Sequence, residues 1–367
     1  MTLTNYWWLL IWLFLGGAIF GNMPKRRERL DGEIVERWDI FPAFLMVLPY
    51  IIWAGFRHDY FGDMALYRKS FLLTEPNISN LLTAFINGDK DPGYGAFVVL
   101  MKCLIGNRDK LFFLVVAAFQ MLCVALMFRR YTLNFWTCLF LFVASTDYLS
   151  WMHNGMRQFI AVTIILSGFR YVVNKQYVKM IMLILIASLF HGSALMMIPI
   201  IFLVQGKAWD TKTTLMVFAT VIVVALIDRF TPILNEMLQD TQYNDMMTNE
   251  IWTADDGTNI IRVAVYSAPA LLSLVGLKYI RAANNSMMNI CINCSIVTMA
   301  LYMVASVTSG IYIGRLPIYT TLQGYIALPW MIDQIFEKQS AKLVRYTMYI
   351  AYLAFFYYQM HFTWGAI

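Results

Sequence analysis

Long apolar runs recur from one end of this chain to the other, and each is about the length that crosses a hydrocarbon core as a helix. That pattern leaves few folds open. Backbone polar groups in lipid must be satisfied within the segment itself, and a helix does this. Of the 367 residues 60% are hydrophobic and only 14% charged, whereas a soluble chain carries about a quarter charged residues. The expected fold class is therefore all-α, a polytopic transmembrane bundle of about a dozen helices. No polar stretch is long enough for a separate soluble domain, so residues 1–367 are read as one integral membrane domain.

Spans are expected near 6–21, 40–56, 111–128, 134–150, 156–173, 178–190, 192–205, 213–230, 260–280, 287–307, 317–335 and 344–361. The first run precedes the cluster Lys25, Arg26, Arg27, Arg29. A cleavable signal peptide has the reverse order, so this run reads as a retained helix with its N-terminus outside. Six loops then fall in the cytoplasm and hold Lys25–Arg37, Arg129/Arg130, Arg170–Lys179, Lys207/Lys212, Lys278/Arg281 and Lys338–Arg345. The formal charge of +6 is thus a topology signal and gives no reason to expect nucleic acid as a partner. Two choices are needed to keep the rule. Gly93–Ile105 is taken as an amphipathic or re-entrant element, and Val178–Val204 is taken to break near His191-Gly192. The long connections 57–110 and 231–259 are then extracytoplasmic, and long loops on one face of a scaffold tend to carry function. Cys291 and Cys294 have a metal-site spacing but no second pair, so ordinary apolar packing is the better reading.

Polar residues gather on that outer face. Arg57 leaves the second span, with His58, Asp59 and Asp63 close behind. In the run His153-Asn-Gly-Met-Arg-Gln158, Asn154 is placed to cap a helix and Arg157 lies one turn inside. Backbone N–H groups, the positive end of the helix dipole and a guanidinium would converge there on an anion such as a phosphate. An Arg-Gln pair inside a span is costly unless it faces a polar cavity. His191-Gly-Ser193 sits at the expected break, where a near-neutral imidazole can act as base or as donor to phosphate. Arg315, between Gly314 and Pro317, enters the eleventh span from outside. Snorkelling and plain capping are the bland readings of each of these residues. A weaker candidate is residues 248–256, whose carboxylates and Trp252 would bind sugar.

Asn154-Gly-Met-Arg-Gln158, followed by Phe190-His-Gly-Ser-Ala-Leu195, resembles the EpsG family. These are Wzy-type polymerases of bacterial envelope polysaccharides (O-antigen, capsule or exopolysaccharide). The family pattern of an Arg, a Gly-Asp and a Tyr after the second span is similar to Arg57, Gly62-Asp63 and Tyr67, and its Gly-Tyr pair is similar to Gly93-Tyr94. Where the family carries a Glu ahead of that pair, this chain reads Asp91-Pro92. The resemblance implies a GT-C-like glycosyltransferase of the bacterial inner membrane, active on its outer side. It would join oligosaccharide units carried on undecaprenyl diphosphate, one as donor and one as acceptor, with a chain-length regulator as a possible partner.

On this reading Arg157, Arg57, Arg315 and Asn154 bind the diphosphate and stabilise the leaving group without metal or cofactor. His191 and Asp63 compete as general base, with His191 in the better-matched motif. Gln158, Ser193, Tyr67 and Tyr94 contact substrate. A lipid-linked oligosaccharide flippase or a membrane O-acyltransferase would use some of the same residue types.

Overall fold

The computed structural model describes residues 6–30, 33–59, 62–87, 90–227 and 257–365. The segment 248–256, a candidate for sugar binding, lies outside the described residues, as does most of the connection 231–259. The described chain is helical apart from one antiparallel hairpin, β1 (Arg26–Leu30) and β2 (Glu33–Arg37), paired Arg26 to Arg37 and Leu30 to Glu33. The hairpin carries the basic cluster that follows the first apolar helix, where a loop was expected. One directly opposed pair carries opposite charges, with Arg27 donating to Glu36 at 3.2 Å.

Among the described residues, two helices are by length and composition able to cross a membrane, Asp109–Tyr131 and Ser286–Ala305. A third qualifies if Ile260–Val275 and Leu277–Ala283, bent by 73°, count as one span. Eight further apolar helices run to 10–17 residues. These are helices of a membrane-embedded protein, and among the described residues they do not by themselves establish a dozen spans. Breaks interrupt several of the apolar runs. Thr146 has φ +67° and ends the helix Phe135–Ala144, Gly168 separates Met156–Ser167 from Phe169–Val173, and His191 is extended.

The chain divides into two compact units, residues 1–198 with 338–367, and residues 199–337. In the first, α1 (Trp7–Phe20) and α2 (Ile40–Gly55) are tied by the Tyr50 hydroxyl, which donates to the Leu9 carbonyl at 2.7 Å. Asp39 caps α2 by accepting from Ile40 N. Gly55 lets α2 approach Asp109–Tyr131 closely, since a Cβ there would stand 2.9 Å from the Leu114 Cα. The connection after α2 is mostly helical, with α3 (Met64–Leu73), α4 (Thr83–Ile86) and α5 (Pro92–Ile105). The segment read as an amphipathic or re-entrant element forms the helix α5, whose buried residues are Gly93, Tyr94, Val98, Val99, Met101 and Lys102. Then come α6 (Asp109–Tyr131), α7 (Phe135–Ala144), α8 (Asp147–Leu149), α9 (Met156–Ser167), α10 (Phe169–Val173), α11 (Tyr177–Ser188) and the start of α12 (Met197–Leu203). A core of Met64, Phe71, Tyr94, Phe112, Phe113 and Met156 joins α3, α5, α6 and α9.

In the second unit α13 (Thr211–Ala225), α14 (Ile260–Val275), α15 (Leu277–Ala283), α16 (Ser286–Ala305) and α17 (Ile318–Ile335) follow in order. α16 packs on α13, α14 and α17 and is buried along most of its length. Cys291 and Cys294 lie in it as buried free thiols, which fits the packing reading. Arg315 belongs to this unit, where it closes the turn Ile313–Arg315 and is exposed.

Candidate active site

In the first unit, three chain breaks meet beside the start of α9. α11 ends at Ser188, and after His191 the chain resumes as the 3-10 turn Gly192–Met196. This is the break expected within Val178–Val204. α5 begins at Pro92, and Asp91 before it takes φ +58°, a left-handed conformation that Asp tolerates better than most residues. The start of α5 is pinned to the end of α11, because Gly93 N donates to the Leu189 carbonyl at 2.8 Å. Gly93 is needed for this approach, since a Cβ would lie 2.6 Å from the Leu189 Cβ.

Side chains connect the same elements. Arg157 Nη1 donates to Asp91 Oδ2 at 3.0 Å, and the other oxygen, Oδ1, accepts from Gly192 N at 3.2 Å. The Asp91 side chain is only 2% exposed, but that of Arg157 is 35% exposed. The next residue on α9, Gln158, donates to the Ser193 hydroxyl at 3.3 Å, and that hydroxyl is 2.7 Å from His191 Nδ1. The tyrosines Tyr67 (α3) and Tyr94 (α5) flank the guanidinium, with ring centroids 5.9 and 5.7 Å from its carbon. Their rings meet edge to face at 6.3 Å. Lys102 of α5 donates to the carbonyls of Phe71 and Leu72, both at 2.9 Å, and so holds the end of α3 against α5. Arg157, Gln158, His191, Ser193, Tyr67 and Tyr94 are thus brought together, from residues 124 positions apart in the case of Tyr67 and His191 (191 − 67).

One expectation is corrected here. Asn154 does not cap α9. It closes a π-helical turn, Ser150–Asn154, and Gly155 takes the cap position with no side-chain bond. The extra turn carries the Asn154 side chain past the helix start, where it accepts from Asp63 N at 3.3 Å. Gly62, with φ +56°, makes room for it, as a Cβ would come 2.5 Å from the Asn154 oxygen. Arg57 is placed deeper than its position at a helix exit suggests. It is 5% exposed and gives its guanidinium to the Met152 carbonyl, the Met156 sulfur and the face of Phe113. Burial pulls its pKa down to about 10, which still leaves it charged at neutral pH. A buried cation bound to backbone clamps the π turn.

Asp63 joins the site through its backbone, donating to Asn154 and accepting from Tyr67 N. His153 on the π turn is buried, and burial followed by the Arg57 charge pushes its pKa well below the ordinary histidine value, so it stays neutral. Among the described residues no three His, Cys, Asp or Glu gather as a metal-binding group. The sequence reading missed Asp91 as a site residue. Its signal was there, an acid directly ahead of Pro92-Gly-Tyr94, yet only the left-handed turn aims it at Arg157. It also missed Arg68, which pairs with Asp59 and, at 2.9 Å, with Asp109.

Arg57→Ala is expected to lower stability by roughly 2 kcal/mol or more, because it strips a buried carbonyl of its donor and leaves a cavity. Thermal unfolding in detergent reads this. An unchanged melting temperature with lost diphosphate binding would assign Arg57 to the substrate instead.

A family model described as EpsG family matches residues 40–364. The chain belongs to the EpsG family. That is the family of Wzy-type polysaccharide polymerases which the Arg157 and His191 motifs resemble, and membership gives the chain a polysaccharide polymerase-type function. The match covers part of the first compact unit, all of the second and every residue of the Arg157 cluster. No curated protein and no solved structure matches the chain.

Proposed function

We propose that this EpsG-family protein is a glycosyltransferase that joins oligosaccharide units carried on undecaprenyl diphosphate, on the extracytoplasmic side of the bacterial inner membrane. The observation that carries this reading is Arg157, held from behind by Asp91 and exposed over about a third of its side chain beside His191, Ser193 and Gln158. The sidedness rests on the distribution of basic loops.

The acceptor hydroxyl attacks the anomeric carbon of the donor sugar, and the bond to the lipid diphosphate breaks. Its departing negative charge falls to the Arg157 guanidinium. His191 takes the acceptor proton. Its Nδ1 lies 2.7 Å from the Ser193 hydroxyl, which sets the orientation of the ring. Gln158 fixes Ser193 in turn, and Tyr67 and Tyr94 offer edges and hydroxyls to sugar or phosphate. The donor set needs no metal.

The test is reconstitution of purified protein in liposomes with lipid-linked repeat units. The expected product is a ladder of polymer lengths with release of undecaprenyl diphosphate, undiminished by EDTA. Movement of intact units across the bilayer without a ladder would make the protein a flippase. Acyl transfer to finished polymer would make it an acyltransferase. Loss of the ladder on chelation, with recovery on adding divalent ions, would replace the Arg157 scheme by a metal site at Asp63.

A further inference from the structure

We propose that Asp91 is the counter-ion that aims Arg157 and keeps its hold on a diphosphate weak enough for repeated turnover. This rests on the polymerase reading above. Three observations carry it. The Asp91 carboxylate is buried and uses both oxygens, one on Arg157 Nη1 at 3.0 Å and one on Gly192 N at 3.2 Å. Its backbone is fixed too, in a left-handed turn whose next residues are bonded to the Leu189 carbonyl. Arg157, by contrast, is partly exposed, and with its flanks covered by Tyr67 and Tyr94 its open edge is where an anion arrives.

The pair is therefore asymmetric, a fixed anion behind and a reachable cation in front. A guanidinium with a carboxylate at 3.0 Å offers an incoming phosphate much less net charge than a bare one. A polymerase has use for that. Each transfer leaves a lipid diphosphate on the enzyme, and the next cycle cannot start until it departs. Stabilisation of the departing charge raises the rate of transfer, but uniform tight binding of the diphosphate does not. The same carboxylate ties α9 to the His191 turn through Gly192 N, so the anion site and the base are set by one group.

Charge and position are separable. Asp91→Asn keeps an acceptor for Arg157 and a residue that tolerates the left-handed turn, but removes the negative charge. Asp91→Gly takes the turn without strain and removes both. The experiment measures inorganic pyrophosphate binding to full-length protein in nanodiscs, alongside steady-state polymer synthesis, for wild type, both Asp91 variants and Arg157→Ala. The expected result is that Asp91→Asn binds pyrophosphate about tenfold tighter and yet makes polymer more slowly. Asp91→Gly should also bind tighter, and it guards against a folding defect peculiar to Asn. A purely structural role predicts that binding and synthesis fall together, and that outcome in both variants would overturn the proposal. Equal binding by wild type and Arg157→Ala would sink the Arg157 site itself and this inference with it. Lost binding in Arg157→Ala with unchanged binding in both Asp91 variants would overturn the counter-ion role alone.

Discussion

Replacing Arg157 by alanine is expected to abolish polymer while the protein still inserts in the membrane. Removal of one donor from a developing oxyanion costs on the order of a hundred- to a thousandfold in rate, and a guanidinium facing a leaving diphosphate supplies charge as well as donors. Arg157→Lys should recover little. An ammonium lacks the planar fork that can hold Asp91 on one side and phosphate on the other. A confounding effect is built into the site, because Arg157→Ala leaves the Asp91 carboxylate, 2% exposed, without its cation. Stranding a buried charge is destabilising. The double variant Arg157→Ala with Asp91→Asn removes that cost, so it should regain thermal stability and remain inactive. Normal chain-length ladders from either Arg157→Ala protein would end the assignment.

His191→Ala should lose transfer by roughly a hundred- to ten-thousandfold, the range for a general base, and still bind pyrophosphate like the wild type. That split is the point of the measurement. The imidazole meets the Ser193 hydroxyl, and the proposed scheme gives anion binding and proton removal to different side chains. Asp63→Asn run in parallel decides between the two candidate bases. The contacts of Asp63 to Asn154 and Tyr67 run through its backbone and survive the change, so a loss of less than about tenfold is expected. If instead Asp63→Asn is dead and His191→Ala is active, Asp63 is the base.

Much of this was legible in the residues. Apolar runs announce membrane helices because no other open structure satisfies a backbone in lipid, and the break at His191-Gly192 followed from the placement of Lys207 and Lys212. The motifs picked out Arg157, Gln158, His191, Ser193, Tyr67 and Tyr94, and these do converge. Other features were illegible for definite reasons. Arg57 and Arg157 look alike in the sequence, each an Arg at a helix end on the same face. One is spent on a backbone carbonyl and the other stands partly open, and this depends on the π turn at Ser150–Asn154, which no spacing rule marks. The cap expected at Asn154 failed for the same cause.

The amino-acid order alone decides that the chain lives in a membrane, where its basic loops cluster and which polar residues are too costly to be idle, because these follow from transfer energies that depend on residue type. It does not decide which cation is free to meet a substrate. Asp91 and Arg157 are 66 residues apart, and their pairing comes from the left-handed turn before α5 docking on the end of α11. A guanidinium is a binding group or a structural clamp according to which carbonyls and carboxylates the packed helices place around it, and that is a property of three-dimensional neighbours.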